Sequence, residues 1–471
     1  MPFNSFEDYP LTWKINKGQL KPPLYLSIAD ALETDIKEGV LLPNTKLPPQ
    51  RELADYLDIN LSTISKAFKI CEMKGLIYAI VGRGTFVAPH LSAPTSLTDP
   101  SFQNEYIDFS QIRPFYQFNE IVLEVARSIM LRANADRLFE YNSSRDNIRY
   151  QTAGQKWLKR FHMEAPLENI QVTSGTQNAL VIALLSFFKA GDKIAIDSYS
   201  YPNFISLAKL LNIQLIAVES DEYGMRPDVL ELNCKTNGIK GIYLVPSCAN
   251  PTTIVIPQER RKKIAEVIMK QNLILIEDDT YAFLASELIP ISCYAPNRYI
   301  YISGTSKALC AGLKVAFISF SDQLKESILR GMQNVDLRTP LLNLEIVRDL
   351  IEGTTASELV TRRIELSQKR NAIYKKYFQP AANANPLSYF QWIPLPKGCN
   401  GYNFELQAKK AGLLLFCSDR FAIGPPQDRA AIRISTCSVQ NNLDLETGLQ
   451  RLQTLINENI VPDNVNNSFI V

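Results

Sequence analysis

Along residues 23–39 the apolar positions Leu24, Ile28, Leu32 and Ile36 recur at helical spacing and form one stripe. Residues 41–49 interrupt that stripe with prolines and predict a loop. Gln50–Leu57 resumes it as a short helix that turns Leu53, Ala54 and Leu57 inward. Residues 58–59 predict a tight turn, and Asn60 suits the cap of a further helix running to about Lys74. In that helix Ile64, Ala67, Phe68 and Cys71 take the i, i+3, i+4 and i+7 positions, with Ser62, Thr63, Ser65, Lys66 and Lys69 on the other face. Gly75 is placed to end it. Residues 77–80 and 85–88 then flank residues 81–84, which predicts a hairpin with Arg83 at its tip.

The rhythm changes twice afterwards. Over residues 89–106 Pro, Ser and Thr cluster without an apolar period, as in a linker. From 107 onward short β-branched runs alternate with longer helical ones, the pattern of an α/β domain around a mostly parallel sheet. The expected domains are therefore 14–88, a linker at 89–106, and 107–457. Polar residues sit where the strands should stop. Residues 170–172 run into Ser174, Gly175, Thr176 and Gln177, and residues 193–196 into Tyr199 and Tyr201. Residues 241–245 run into Asn250, residues 273–276 into Asp278 and Tyr281, and residues 299–302 into Ser306 and Lys307. Ligands of open α/β sheets bind beyond the carboxyl ends of the strands, so these five ends converge on one rim.

Composition narrows the picture without deciding it. At 471 residues the chain exceeds one ordinary core. With 46% apolar and 21% charged residues it reads as a globular protein. No apolar run is long enough to cross a bilayer, and residues 1–10 carry Glu7 and Asp8 instead of a signal pattern, so a cytoplasmic location and no membrane partner are expected. Eight cysteines without a C-x-x-C pair and only two histidines argue against a zinc site or a disulfide framework, so no metal is expected. The net charge of +2 gives no sign of nucleic acid, and any such signal must be local. Over residues 46–90 six basic residues face four acidic ones.

Two short helices joined by a tight turn, the second with a hydroxyl-rich and basic face, match the helix-turn-helix plan. Residues 24–28, 46–54, 62–67, 74–77 and 82–87 closely resemble the winged helix-turn-helix of the GntR-family regulators. That resemblance implies double-stranded operator DNA as partner, with Arg51, Lys66 and Arg83 as contacts and Ser62 and Thr63 beside them. Leu61 and Ser65 depart from it, since the family often carries Arg there.

The rim residues form a second set. A lysine can form a Schiff base with an aldehyde, and a carboxylate can keep a pyridine nitrogen protonated. An amide and a phenol can bond a ring hydroxyl, and a helix start preceded by Gly can hold a phosphate. Residues 173–177, 250–252, 278–281, 306–307 and 311–314 resemble the fold-type I aminotransferases, which use pyridoxal 5'-phosphate (PLP). The resemblance implies that Lys307 holds PLP and that Asp278 pairs with the pyridine nitrogen. It assigns Asn250 and Tyr281 to the ring oxygen and Tyr201 to stacking on the ring. Gly175, Thr176, Gln177, Ser306 and Lys314 fall to the phosphate. Tyr141 is implied to reach the cofactor of a partner subunit, and Arg433 to bind the carboxylate of an amino-acid ligand. Lys314 stands where the family usually has Arg, Gly304 where it has a hydroxyl residue, Thr253 where it has Gly, and Ser198 where Pro is common.

The complete layout resembles the MocR subfamily of GntR regulators, which joins these two parts. It implies a homodimeric, PLP-dependent transcription regulator that senses PLP or a small amino compound. Two other readings stay open at this point: a PLP-dependent aminotransferase with an accessory N-terminal domain, and a scaffold that has lost PLP and answers to another ligand.

Overall fold

The computed structural model describes residues 12–37, 40–42, 45–73, 76–80, 83–88, 106–141, 144–335, 338–424 and 429–459. It divides into two compact units, residues 1–102 and 103–471. The expected helix stop at Gly75, the hairpin-tip residues Val81 and Gly82, and all of the expected linker but Tyr106 lie outside the described residues.

The first unit holds helices α1 (Leu24–Lys37), α2 (Gln50–Leu57) and α3 (Leu61–Met73) and the antiparallel pair β1 (Ile77–Ile80) and β2 (Gly84–Val87). Asp58 makes the turn between α2 and α3 possible. It sits in the left-handed region at φ 54°, and its N–H closes on the carbonyls of Ala54 and Asp55. Asp adopts that conformation more readily than most side chains. The stripe read from the sequence is buried: Ile28, Leu32, Leu53, Leu57, Ile64, Phe68 and Cys71 share one core. Trp13, one residue outside the expected boundary, joins that core and donates from Nε1 to Asp35 Oδ2 at 2.7 Å.

The second unit opens with β3 (Ile107–Asp108), α4 (Asn119–Met130), α5 (Ser144–Lys159), β4 (Ile170–Thr173) and α6 (Thr176–Phe187). Then come β5 (Lys193–Asp197), α7 (Pro202–Leu210), β6 (Gln214–Val218) and the small hairpin β7 (Ser220–Asp221) and β8 (Gly224–Met225). The central strands β9 (Gly241–Leu244), β10 (Ile274–Asp278), β11 (Tyr299–Gly304) and β12 (Ala316–Phe320) follow. They join a seven-stranded sheet of order β4-β12-β11-β10-β9-β5-β6. Only β12 runs against its neighbours, so β4, β5, β9, β10 and β11 all end on one edge. Strand β10 extends past the expected 273–276 and takes in Glu277 and Asp278.

A smaller layer contains β13 (Phe390–Pro394), β14 (Leu413–Leu414), β15 (Phe416–Cys417) and β16 (Ala431–Ser435), with β16 between β13 and β15. Its core includes Phe109, Leu415, Ile432, Ile434 and Leu449. Strand β3 pairs in parallel with β14, which ties residues 107–108 to this layer. Among the described residues no helix is long and apolar enough to cross a membrane.

Candidate functional site

Helix α3 buries Ile64, Ala67, Phe68 and Cys71 and leaves Ser62, Lys66 and Lys69 exposed, with Thr63 half-buried. Arg51, in the first turn of α2, is exposed, and so is Arg83 just before β2. Ser65 is used inside the unit: its hydroxyl donates to Gln50 Oε1 at 2.7 Å and pins the start of α2 to α3. Lys46 adds a basic group that the sequence reading did not assign. It bridges to Phe86 on β2, and its Cε lies 3.0 Å from where a Cβ on Gly84 would be. Lys46 therefore lies over the hairpin beside Arg83, a placement that comes from pairing across the fold and leaves no local sequence mark.

On the rim of the large sheet Lys307 follows β11 and Asp278 closes the neighbouring parallel strand β10. Lys307 is half-buried, and its Nζ donates to the carbonyl of Ile112 at 2.5 Å. Burial, with help from the Arg433 and Lys314 charges, pulls its amine down from 10.5 to about 8. Burial also pushes the carboxyl of Asp278 up to about 6. Two hydroxyls oppose that push: Thr280 Oγ1 donates to Asp278 Oδ1 at 2.6 Å, and the Tyr243 phenol donates to Oδ2 at 3.1 Å. Tyr243 is fully buried and lies flat against Phe204, with ring centroids 3.7 Å apart.

The hydroxyl of Thr280 also meets that of Thr176 at 3.2 Å. Since the single hydrogen of Thr280 goes to Asp278, Thr176 is the donor in that pair. The Thr176 hydroxyl is thereby committed, and the anion-holding capacity at this helix start lies in backbone N–H groups. The same pair explains Gly304: a Cβ there would come within 2.3 Å of Thr176 Oγ1 and 3.0 Å of Thr280 Oγ1. Gly175, at φ 87°, packs against the backbone of Lys314 and precedes α6. Because β12 is reversed, its first residues lie on the same rim, which brings Lys314 beside the helix start.

Arg433, in the middle of β16, donates from Nη1 to Asn250 Oδ1 at 3.0 Å and from Nη2 to the carbonyl of Ser110. Its guanidinium lies 4.8 Å from the ring centroid of Phe421, and burial lowers its pKa to about 10. Its Nε is buried without an acceptor. Tyr281 is buried edge-on to Phe390, and burial raises its phenol well above the usual value. The phenol of Tyr201 rises to about 12, chiefly by burial and then by the charge of Asp278, with Arg433 acting in the opposite sense. Lys307, Asp278, Asn250, Tyr281, Tyr201, Arg433 and Lys314 thus converge, with Thr176 and half-buried Ser306 at the edge. Gln177 is exposed, and Tyr141 projects from the surface at 89% exposure. Tyr243, Thr280 and Ser110 were not read as site residues from the sequence.

These residues fit PLP. An amine of lowered basicity, an acid held by two hydroxyls, an amide beside a guanidinium with a spare buried donor, and a glycine-led helix start supply the needed groups. Residues 104–389 match the description "Aminotransferase class I and II", and residues 24–87 match "Bacterial regulatory proteins, gntR family". The chain is 35% identical over 460 residues to an uncharacterized HTH-type transcriptional regulator, YdeF, of Bacillus subtilis, covering 97% of this chain and 100% of that one. Among solved structures it resembles an archaeal alanine:glyoxylate aminotransferase, with TM-score 0.70, 21% identity, 76% of this chain and 93% of the other. It also resembles LysN, the alpha-aminoadipate aminotransferase of Thermus thermophilus, with TM-score 0.68, 22% identity, 82% of this chain and 97% of the other. At these identities the two structures speak for the fold.

Proposed function

The chain belongs to the regulators that join a gntR-family helix-turn-helix to a class I and II aminotransferase domain, and we propose that it is a homodimeric transcription regulator whose operator binding depends on PLP or an amino compound at Lys307. The observation that carries this reading is the placement of Lys307 just after β11 and of Asp278 at the end of the neighbouring parallel strand β10, the acid accepting a hydroxyl on each of its two oxygens. When bound, PLP supplies an aldehyde for the lysine and a ring that draws electrons from attached carbon. Lys307 provides the nucleophilic nitrogen. Asp278 holds a proton on the ring nitrogen, and Tyr243 and Thr280 orient that acid. Asn250 and Tyr281 offer donors to the ring oxygen, and Tyr201 offers an aromatic face. Gly175, Thr176, Gln177, Ser306 and Lys314 would hold the phosphate, Thr176 through its backbone N–H, since its hydroxyl is committed to Thr280. The spare Nε of Arg433 would be available to the carboxylate of an amino-acid ligand, for which a guanidinium fork is suited.

On the DNA side Arg51, Ser62, Thr63, Lys66 and Arg83 present the polar face. Two readers in a dimer would meet two half-sites of a palindromic operator. A ligand shifts DNA affinity only through unequal binding to two arrangements of the dimer. The proposed domains are 14–88 for the reader, 89–106 for the linker and 107–457 for the sensor. The test combines two readouts on the full chain. PLP should give a visible band that borohydride bleaches and that Lys307→Ala lacks, and operator retention should change when the band forms. A chain that carries no band once unbound PLP has been removed by gel filtration refutes the reading. The joint presence of Lys307, Asp278 and Arg433 also favours a transaminase side activity, which turnover of common amino acids would reveal.

A further inference from the structure

Residues 109–115 are the wall of this site nearest in sequence to the chain that arrives from the DNA reader. Both ends of the wall are fixed. Phe109 is fully buried; its N–H donates to the Leu414 carbonyl at 2.7 Å, and its carbonyl accepts from the N–H of Ser435 at 2.8 Å. Phe115 is buried, and its carbonyl accepts from Arg363 at 3.4 Å. Between these ends the wall hangs on two cations. The Ser110 carbonyl accepts from Arg433, and the Ile112 carbonyl accepts from Lys307 at 2.5 Å. Asp108 braces the first half of the wall. Its carboxylate takes the N–H and hydroxyl of Ser110 at 2.9 and 2.6 Å and pairs with Arg113 at 3.1 Å.

The two tethers differ in what a ligand does to them. Arg433 carries five N–H hydrogens and Nε is without an acceptor, so a carboxylate can take that edge while Ser110 stays held. Lys307 has no such spare capacity. When its amine condenses with an aldehyde, a C=N bond forms and one water leaves. The nitrogen then keeps at most one hydrogen, which the ring oxygen of the bound group would draw away from Ile112. An incoming amine that takes over the C=N carbon returns Lys307 to a free amine, with no water gained or lost. We infer that residues 110–114 are a ligand-read strap: PLP on Lys307 releases the Ile112 tether, and an amino compound that displaces Lys307 restores it. The inference rests on the proposed binding of PLP at Lys307. It gives PLP and the amino compound opposite effects on the stretch that continues into residues 89–106 and the reader.

Hydrogen exchange of the full chain, read on peptides spanning 107–115, tests this. Three states are compared: no addition, PLP to a full visible band, and PLP followed by aminooxyacetate, whose amine captures the aldehyde and whose carboxylate suits Arg433. The tether ends on a carbonyl, so its loss is read through more frequent opening of the wall: exchange over residues 107–115, led by the Ser110 N–H that Asp108 holds at 2.9 Å, is expected to rise roughly fivefold with PLP, the effect of one lost hydrogen bond on that opening, and to fall back with aminooxyacetate. In Lys307→Ala the fast exchange should be present from the start and stay fast in all three states. A full band with unchanged exchange overturns the strap while leaving PLP binding intact. Protection regained by Lys307→Ala with aminooxyacetate overturns it too, since the tether would then not be the lysine. Failure to form any band overturns the PLP reading, and the strap falls with it.

Discussion

The lowered basicity of Lys307 makes a kinetic prediction. An amine attacks an aldehyde only through its free lone pair, so the rate of PLP capture follows the neutral fraction of Lys307. The group is a cation whose value lies near 8 instead of 10.5, so it loses its proton earlier as pH rises. At pH 7 a lysine at about 8 is ~9% neutral against ~0.03% for an ordinary lysine, a gain of roughly 300-fold. Stopped-flow growth of the visible band, divided by the rate of PLP with free lysine in the same buffer, removes the titration of PLP itself. Corrected for the titration of PLP alone, the protein rate should climb about tenfold per pH unit below 8 and level off above it. Asp278 titrates near 6 and is ionised through the rising part above that point. Arg433→Gln removes a neighbouring charge that lowers Lys307, so its midpoint should move up and its rate at pH 7 fall. A rate that continues to rise tenfold per unit from pH 8 to 10 would refute the argument that burial has lowered this amine.

Tyr243→Phe keeps the stack on Phe204 and deletes one donor to Asp278. A hydrogen bond to a charged acceptor contributes about 1.5–3 kcal/mol, so PLP should dissociate at least tenfold more readily in equilibrium dialysis; unchanged retention would show that Thr280 alone holds the acid. Gly304→Ser restores the hydroxyl common in the family but places a Cβ on Thr176 Oγ1. It should cost about 1–3 kcal/mol in denaturant unfolding, and Thr176→Ala in the same chain should recover most of it; a neutral Gly304→Ser would show that the pair yields freely. Lys66→Ala and Arg83→Ala should each flatten the salt dependence of operator binding by about one unit of slope, as read by anisotropy titrations at several salt concentrations. An unaltered slope would remove that residue from the phosphate contacts.

Much of the site was legible because its groups stand at strand ends, where a run of apolar residues stops and chemistry begins. Lys307, Asp278, Asn250 and Tyr281 could all be found this way. Tyr243 could not, since a tyrosine inside Gly241–Leu244 is indistinguishable from one chosen for strand propensity. The end of β10 was also misplaced, and the reason is electrostatic. The apolar run stops at Ile276, where acids begin, yet alternate residues of a strand face opposite sides. Asp278 faces Tyr243 and Thr280. Glu277 accepts the N–H groups of Ile291 and Ser292 and the Ser292 hydroxyl, and Asp279 accepts the Tyr301 phenol. Each acid is buried against donors, so the strand can continue through Glu277 and Asp278, with Asp279 buried just beyond its end.

Chain direction was the other hidden quantity. Nothing in the apolar pattern of Ala316–Phe320 says that β12 runs backwards between β4 and β11. Had it run forward, its first residues would lie at the opposite edge of the sheet. Lys314 would then stand a strand's length from Gly175, instead of packing its backbone against it. The tight left-handed step at Lys314, φ 51°, is what returns the chain onto the rim after Lys307. That reversal places a second cation close enough to lower the Lys307 amine. An ammonium in place of a guanidinium at 314 would grip a phosphate differently while keeping a charge that lowers Lys307.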